Sequence, residues 1–124
     1  MQKLAINSDK APDAVGPYSH CTEAGGFVFV SGQMPVKDGK IETEDIAQAT
    51  RNCMQNIQYI LEAAGSDLSK ALKITIYLTD MNDFAEVNKA YGEFFEGNYP
   101  ARVCCEVSGL PKNVHVEIDC IALK

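Results

Sequence analysis

Basic and imidazole side chains are scarce in this sequence of 124 residues. Eleven lysines and arginines stand against seventeen aspartates and glutamates, which gives a formal net charge of −6 and a pI of about 4.8. Arg51 and Arg102 are the two arginines, and His20 and His115 are the two histidines. Nucleic-acid binding needs a basic surface that displaces counterions from phosphates, so this composition argues against a nucleic-acid partner.

Long apolar runs, paired cysteine motifs and linker-like tracts are also absent. No run approaches the ~18–20 apolar residues of a membrane span, and residues 1–10 lack the apolar centre of a signal peptide. The five cysteines are odd in number and include no C-x-x-C pair, which favours free thiols and argues against a zinc site. We therefore expect a soluble cytoplasmic protein with no metal and no membrane partner.

The spacing of apolar residues predicts two helices. In the first, apolar residues recur at steps of three and four between Thr43, the expected N-cap, and Gly65, the expected C-terminal stop. Glu44 and Asp45 are expected in its first turn, where carboxylates complement the helix dipole. The second helix is predicted over residues 80–97, with Phe84 and Tyr91 on its apolar stripe.

Six segments rich in β-branched and aromatic residues predict strands. They are residues 4–6, the two arms of a hairpin that turns at Gly25-Gly26, and residues 70–80, 101–108 and 114–123. Two helices with one apolar stripe each bury those stripes on the same face of a sheet. We predict one domain, residues 1–124, with an α+β fold in which two helices pack on one face of a mixed sheet.

The stretch PARVCCEV, residues 100–107, places an arginine and a thiol in an otherwise apolar strand. Successive strand side chains point to opposite faces, so Arg102 and Cys104 share one face. If residues 109–113 close a hairpin, Cys104 lies opposite Glu117, and Arg102 lies opposite Asp119. The prediction is a polar cluster on the sheet face away from the helices, with Val103, Cys105 and Val107 on the helix-covered face.

Arginine and glutamate together suggest a site for a small anion. A guanidinium is a rigid fork for a carboxylate, and a nearby glutamate can hold or activate water. Plainer interpretations stay open: Arg102 as a solvated charge or a partner of Asp119, Glu117 as a surface carboxylate, and Cys104 as an inert thiol or small spacer. The residues alone predict a soluble α+β domain with an anion-binding face.

Six stretches together resemble the RidA family (reactive intermediate deaminase A, formerly YjgF). They are AVGPYSH, FVFVSGQMP, NCMQNIQYILEAAG, ALKITIYLTDMNDFAEVNKAYGEFF, YPARVCCEVSGLPK and VEIDCIAL, in the family's order over essentially the whole chain. The resemblance implies a chorismate-mutase-like fold and a homotrimer with clefts between subunits. It also implies a cofactor-free hydrolase that converts reactive 2-imino acids, such as 2-aminoacrylate/2-iminopropanoate and 2-iminobutanoate, to 2-oxo acids and ammonia.

The resemblance assigns roles to residues by position. Arg102 matches the family arginine that grips the substrate carboxylate, and Glu117 matches the glutamate that positions the attacking water. Cys104 matches the cysteine beside the ligand, with a positioning role. Four further residues match positions that line the cleft: Tyr18, Ser31, Gly32 and Asn88.

The chain departs from the family pattern at three places. His20 stands where many relatives have glutamine, Gly109 stands where alanine or arginine is common, and the segment before Pro100 is short. A non-catalytic module that binds 2-oxo acids is the alternative to an enzyme. An endoribonuclease is a third reading, and the acidic charge and the lack of a histidine pair argue against it.

Overall fold

The computed structural model describes residues 1–124, and its elements follow the predicted order. The strands are β1 (Leu4–Ile6), β2 (Cys21–Ala24), β3 (Phe27–Gln33), β4 (Val36–Lys37), β5 (Lys40–Ile41), β6 (Ala71–Leu78), β7 (Ala101–Glu106) and β8 (Val116–Leu123). The helices are α1 (Ile46–Ala63) and α2 (Phe84–Gly92), and short 3₁₀ turns cover Leu68–Lys70, Met81–Asp83 and Pro111–Asn113.

Six strands form one mixed sheet in the order β1-β2-β3-β8-β6-β7. The β6–β7 pair is parallel and the other pairs of this sheet are antiparallel, while β4 and β5 form a separate ribbon. The apolar side chains of α1 and α2 join those of β3, β6 and β8 in one continuous core. This arrangement confirms the predicted α+β fold with two helices on one sheet face.

Helix α1 begins at a different residue from the one predicted and ends as predicted. The N-cap is Asp45, whose carboxylate accepts a hydrogen bond from the Gln48 amide at 3.1 Å, and not Thr43. The predicted place of Glu44 and Asp45 in the first turn was therefore wrong, since both precede the helix. The C-terminal end is as predicted, because Gly65 has a φ of 78°, the left-handed geometry in which glycine stops helices.

Helix α2 is shorter than residues 80–97. Asp80 caps the 3₁₀ turn by accepting a hydrogen bond from the Asn82 amide at 2.9 Å, and the α-helix then ends at Gly92. The chain beyond Gly92 leaves the helix, yet Phe94 and Phe95 still pack against the core. The apolar pattern therefore continued past the helix because it reports burial, whether the backbone is helical or not.

The predicted hairpin between residues 101–108 and 114–123 was wrong. Strand β7 pairs with β6, and β6 separates β7 from β8. Because α2 lies between β6 and β7 along the chain, these two strands are joined by the crossover connection that parallel neighbours need. The segment between β7 and β8 is consequently a longer connection through the Pro111–Asn113 turn.

The face assignment of β7 was also wrong. Arg102 pairs with Ile74 and Cys104 with Ile76, two side chains fully buried under the helices. Arg102 and Cys104 therefore lie on the helix-covered face. Val103, predicted on that face, is instead 46% exposed on the opposite, open face.

No helix in the structure has the length and apolar character of a membrane span.

Candidate active site

Arg102 lies on the edge strand β7 and stacks against aromatic rings of α2. Its guanidinium carbon is 5.0 Å from the centre of the Tyr91 ring and 5.7 Å from that of Phe84. The two ion pairs of the chain involve other residues, so this guanidinium has no carboxylate partner. Each cation–π contact stabilises the guanidinium by about 0.5–2 kcal/mol. The contacts use the face of the group, so its N–H donors at the edge stay free for a ligand.

Two buried polar atoms near Arg102 also lack partners. The Asn88 Oδ1 and the Tyr91 hydroxyl are both inaccessible to solvent and form no hydrogen bond within the chain. Burial raises the pKa of Tyr91 to about 12, although the nearby Arg102 charge opposes this shift. These three side chains wall a cavity of about 310 Å³, and we refer to Asn88, Tyr91 and Arg102 as the guanidinium half-site.

Cys104 shares the face of Arg102 but is not set up as a nucleophile. It packs partly buried against the core, and this burial raises the pKa of its thiol despite the opposing effect of the Arg102 charge. A reactive cysteine needs the opposite shift, because the thiolate is the nucleophilic form. The environment of Cys104 is that of a small spacer beside the guanidinium, in keeping with the positioning role.

Glu117 lies on the open face of β8, in the middle of the sheet. It pairs with Tyr77 of β6, whose hydroxyl donates to the Asp119 Oδ2 at 3.1 Å. The pKa of the Glu117 carboxyl is raised, first by desolvation and second by the charge of Asp119. No ion pair offsets these effects. A carboxylate with a raised pKa and no partner is suited to proton transfer.

A β-bulge in β3 brings the backbone to Glu117. The β3–β8 register shifts between Val30 and Gln33, which leaves Ser31 and Gly32 outside the regular pairing. A Cβ atom on Gly32 would stand 2.9 Å from the Cδ and Oε2 of Glu117, closer than such atoms approach in proteins. The missing side chain of Gly32 therefore provides the room that the carboxylate occupies.

The loop before β2 completes the site around Glu117. The Tyr18 hydroxyl accepts a hydrogen bond from the Val15 amide at 3.2 Å, and the Ser31 hydroxyl donates to the Ser19 carbonyl at 2.7 Å. A cavity of about 270 Å³ is bounded by the loop, the bulge and β8. Four of the residues that line it form what we call the carboxylate half-site: Tyr18, Ser31, Gly32 and Glu117.

The structure thus divides the predicted site residues into two groups that do not meet within one chain. Arg102 and Cys104 lie on the helix-covered face, where Arg102 meets Asn88 of α2, whereas Glu117 lies on the open face with the remaining residues. Strand β6 separates β7 from β8, a spacing of about 10 Å at ~4.8 Å per strand. The predicted single cluster of Arg102, Cys104 and Glu117 is therefore wrong for an isolated subunit.

Sequence reasoning missed the aromatic support of Arg102. Phe84 and Tyr91 were read as core positions of the second helix, and the signal for a further role is their spacing. They are seven residues apart, with Asn88 between them on the same side of the helix. An aromatic stripe that also carries an amide, and is followed by an arginine on the next strand, indicates a cation-stacking wall.

Three further cavities hold no predicted site residue. The largest, about 760 Å³, lies between the outer side of α1 and the loops at Lys10–Asp13 and Val36–Gly39. Its only arginine, Arg51, is already bound in a two-point contact to the Glu93 carboxylate, at 2.9 and 3.0 Å. No group of three or more His, Cys, Asp or Glu side chains is arranged to hold a metal ion. The two half-sites remain the candidate active site.

The fold and these half-sites define a small α+β protein with an unpaired arginine at its sheet edge and an unpaired glutamate on its open face. Comparison with known proteins identifies the group. A family model described as Endoribonuclease L-PSP matches residues 8–124. RutC family protein PH0854 of Pyrococcus horikoshii is 49% identical, over 98% of both chains. An Escherichia coli protein named "Putative reactive intermediate deaminase TdcF" is 39% identical, over 98% of both chains.

Solved structures give the same result. The crystal structure of E. coli TdcF with bound serine superposes with a TM-score of 0.93 at 39% identity, over 98% of both chains. The yeast structure YEO7 superposes with a TM-score of 0.96 at 37% identity, over 99% of both chains. The chain belongs to the RidA family. Its relatives carry several functional names, including endoribonuclease and reactive intermediate deaminase.

Proposed function

We propose that this protein is an enamine/imine deaminase that hydrolyses reactive 2-imino acids to 2-oxo acids and ammonia. The observation that carries the proposal is the pair of unpaired, opposite charges: the stacked guanidinium of Arg102 and the half-buried Glu117 carboxyl with its raised pKa. A 2-imino acid needs both groups, a cation for its carboxylate and a base for the attacking water. A relative's name, reactive intermediate deaminase, agrees with this chemistry.

The reaction consumes one water and needs no redox partner. Arg102 holds the substrate carboxylate, which places the imine carbon beside a water on Glu117. Glu117 accepts a proton as the water oxygen bonds to the imine carbon, and the imine nitrogen gains a proton. The hydroxyl proton of the resulting carbinolamine then passes through Glu117 to the amine. The C–N bond breaks, ammonia leaves, and the hydroxyl oxygen becomes the new carbonyl. Because its pKa is raised, Glu117 can carry the transferred proton between these steps.

The working site requires a second copy of the chain. We propose a homotrimer in which the guanidinium half-site of one subunit faces the carboxylate half-site of the next. Such a contact joins two different surfaces, so it is heterologous and closes into a ring when the rotation fits. The unpartnered Asn88 Oδ1 and Tyr91 hydroxyl then border a cleft. Bound serine in the TdcF structure, a molecule with a carboxylate and an amine, is of the expected ligand type.

The proposal is tested by coupling the protein to an amino-acid oxidase, which makes the 2-imino acid, and by trapping the remaining imine with semicarbazide. We expect the unmodified protein to reduce trapping. Arg102→Ala removes a charge-assisted two-point contact and lowers kcat/KM about 10- to 100-fold. Arg102→Lys keeps the charge without the fork, so we expect an intermediate loss.

Arg51 offers a matched control, because it is the second arginine and lies in an exposed ion pair with Glu93. Arg51→Ala is expected to leave the deaminase activity unchanged. Equal trapping with and without the protein, or full activity in Arg102→Ala, contradicts the proposal. Binding of 2-oxobutanoate without any imine hydrolysis supports the alternative, a non-catalytic binding module. Cleavage of RNA by the purified chain supports the endoribonuclease reading instead.

A further inference from the structure

The buried histidine before β2 is held by four hydrogen bonds. The ring Nδ1 of His20, a residue 4% exposed, accepts from the Ser8 amide at 3.0 Å, and its Nε2 lies 2.7 Å from the Pro12 carbonyl. The His20 amide donates to the Asn7 Oδ1 at 2.9 Å. The His20 carbonyl accepts from the Ser31 amide at 2.9 Å. One residue thus joins two parts of the N-terminal loop to the bulge of β3.

These contacts determine the protonation of the ring. An amide can only donate, so the Nδ1 facing Ser8 carries no hydrogen, and the Nε2 facing the Pro12 carbonyl must donate one. The geometry therefore requires the neutral imidazole with its hydrogen on Nε2. A protonated ring would set two N–H donors against each other at Ser8 and lose that contact.

The loop that His20 anchors carries Tyr18, one of the four residues of the carboxylate half-site. Tyr18 stands two residues before His20, and the Ser19 carbonyl accepts the hydroxyl of Ser31. Ser31 opens the bulge in which Gly32 contacts Glu117. Between Asn7 and His20 the chain has no regular secondary structure, so side-chain contacts must fix the position of the loop.

We propose that His20, as the neutral Nε2–H tautomer, is the positioning residue of the carboxylate half-site. It fixes the loop that carries Tyr18 relative to Ser31 in the bulge of β3, and through them the place where substrate meets the water on Glu117. Its effect on catalysis rests on the proposed function, while its effect on geometry does not. A glutamine offers the same pair of groups, one acceptor oxygen and one N–H donor, whereas a leucine offers neither.

The first experiment compares His20→Gln and His20→Leu in the imine assay. We expect His20→Leu to raise KM roughly tenfold with a smaller change in kcat, because the binding loop is displaced while Glu117 stays in place. His20→Gln restores KM to within about twofold. His115→Leu is the matched control, since His115 is exposed and its ring forms a hydrogen bond only with the Thr79 hydroxyl. It is expected to behave like the unmodified protein.

The second experiment needs no enzymatic activity. Nitrogen-15 NMR of the labelled imidazole reads the tautomer in the unmodified chain, and amide exchange reads the Ser31 hydrogen bond. We expect an Nε2–H ring, and Ser31 exchange about tenfold faster in His20→Leu but not in His20→Gln. A merely structural role would lower the amount of folded protein without changing KM.

Three results overturn the inference. They are a ring protonated on Nδ1, a glutamine variant as impaired as the leucine variant, and a leucine variant with unaltered KM and Ser31 exchange. If the unmodified protein does not hydrolyse imines, the proposed function fails. The tautomer and the Ser31 exchange then decide the positioning role by themselves. If His20→Leu does not fold, the tautomer and the rescue by His20→Gln decide it.

Discussion

Position 32 requires glycine because there is no room for a side chain. The backbone of Gly32 is not in the left-handed region that favours glycine, so conformational freedom is not the reason. What a side chain there would meet is the carboxyl group of Glu117, at 2.9 Å. The obstacle is the end of a side chain that can rotate, so a substitution should move Glu117 and leave the strand intact. Activity and stability are therefore expected to separate at this residue.

Gly32→Ala is predicted to lower kcat about 10- to 100-fold, because the new methyl group displaces Glu117, the proposed base, from the attacking water. Its free energy of unfolding should change by less than about 1 kcal/mol, since alanine also restricts the unfolded chain. The imine assay and thermal unfolding measure the two effects. Gly109→Ala is the control, because a Cβ there meets open space. Equal losses of activity and stability would contradict the argument.

The pH dependence expected for the proposed reaction follows from the environment of Glu117. Its raised pKa, caused first by burial and then by Asp119, keeps the base protonated to a higher pH than an ordinary glutamate. Asp119→Asn removes one negative charge, which favours the ionised form and lowers the pKa of Glu117.

The acid limb of the kcat/KM profile is therefore predicted to shift to lower pH in Asp119→Asn. The asparagine oxygen can still accept the hydrogen bond from Tyr77, so the sheet contact is preserved. Asp38→Asn, in the turn between β4 and β5, is the control and should leave the limb in place, since Asp38 is not among the charges that act on Glu117. A limb that stays in place or moves to higher pH in Asp119→Asn argues against Glu117 as the base.

At the scale of elements, alternation along a strand predicted which residues share a face but not which face it is. The pairs Arg102 with Cys104 and Glu117 with Asp119 were grouped correctly. Strand β8 was assigned correctly because both its neighbours are covered by helices, so its apolar side points to the core. On the edge strand β7 the rule failed, because aromatic rings of α2 replace aliphatic packing there and accept a guanidinium.

The strand order could have been predicted from the helix between β6 and β7. A strand, a helix and a second strand form a unit whose strands are commonly parallel neighbours, whereas a hairpin needs only a short turn. The position of β8 between β3 and β6 is a different matter. It depends on long-range pairing that no local pattern records, so the separation of the two half-sites could not be read from the sequence.

The N-terminus of α1 allows a direct test of local prediction against structure. Asp45→Ala removes the carboxylate that accepts from the Gln48 amide, so we expect a loss of about 1 kcal/mol and a fall in Tm of roughly 3–5 °C. Thr43→Ala, at the cap position that the sequence pattern favoured, should change Tm little, because the threonine forms no capping contact. A larger fall in Tm for Thr43→Ala than for Asp45→Ala would show that Thr43 is the N-cap.

At the scale of the whole molecule, the open face of the sheet is too apolar for a surface that only meets water. Four large apolar side chains on this face are 42–46% exposed: Phe27, Phe29, Val103 and Leu123. Apolar patches of this kind mark interaction surfaces. Glu117 lies on the same face, so a second chain that covers the patch also desolvates the carboxyl further and brings another subunit's residues towards it.

The proposed sharing of sites between subunits predicts complementation between inactive variants. Arg102→Ala retains a working carboxylate half-site, and Glu117→Gln retains a working guanidinium half-site. When the two are unfolded together in equal amounts and refolded, a given interface combines the two intact half-sites with a probability of one half times one half. The mixture should therefore recover about a quarter of the unmodified activity, although each variant alone is nearly inactive.

The control pairs two variants of the same half-site, Arg102→Ala and Asn88→Ala, which cannot rebuild an intact guanidinium half-site and should recover nothing beyond their separate activities. Mass spectrometry of the assemblies verifies that subunits have mixed. If mixed trimers form and the activity stays at the level of the separate variants, each chain must build its site alone. The division of Arg102 and Glu117 between opposite sheet faces would then need a conformational change within one subunit, because β6 stands between their strands.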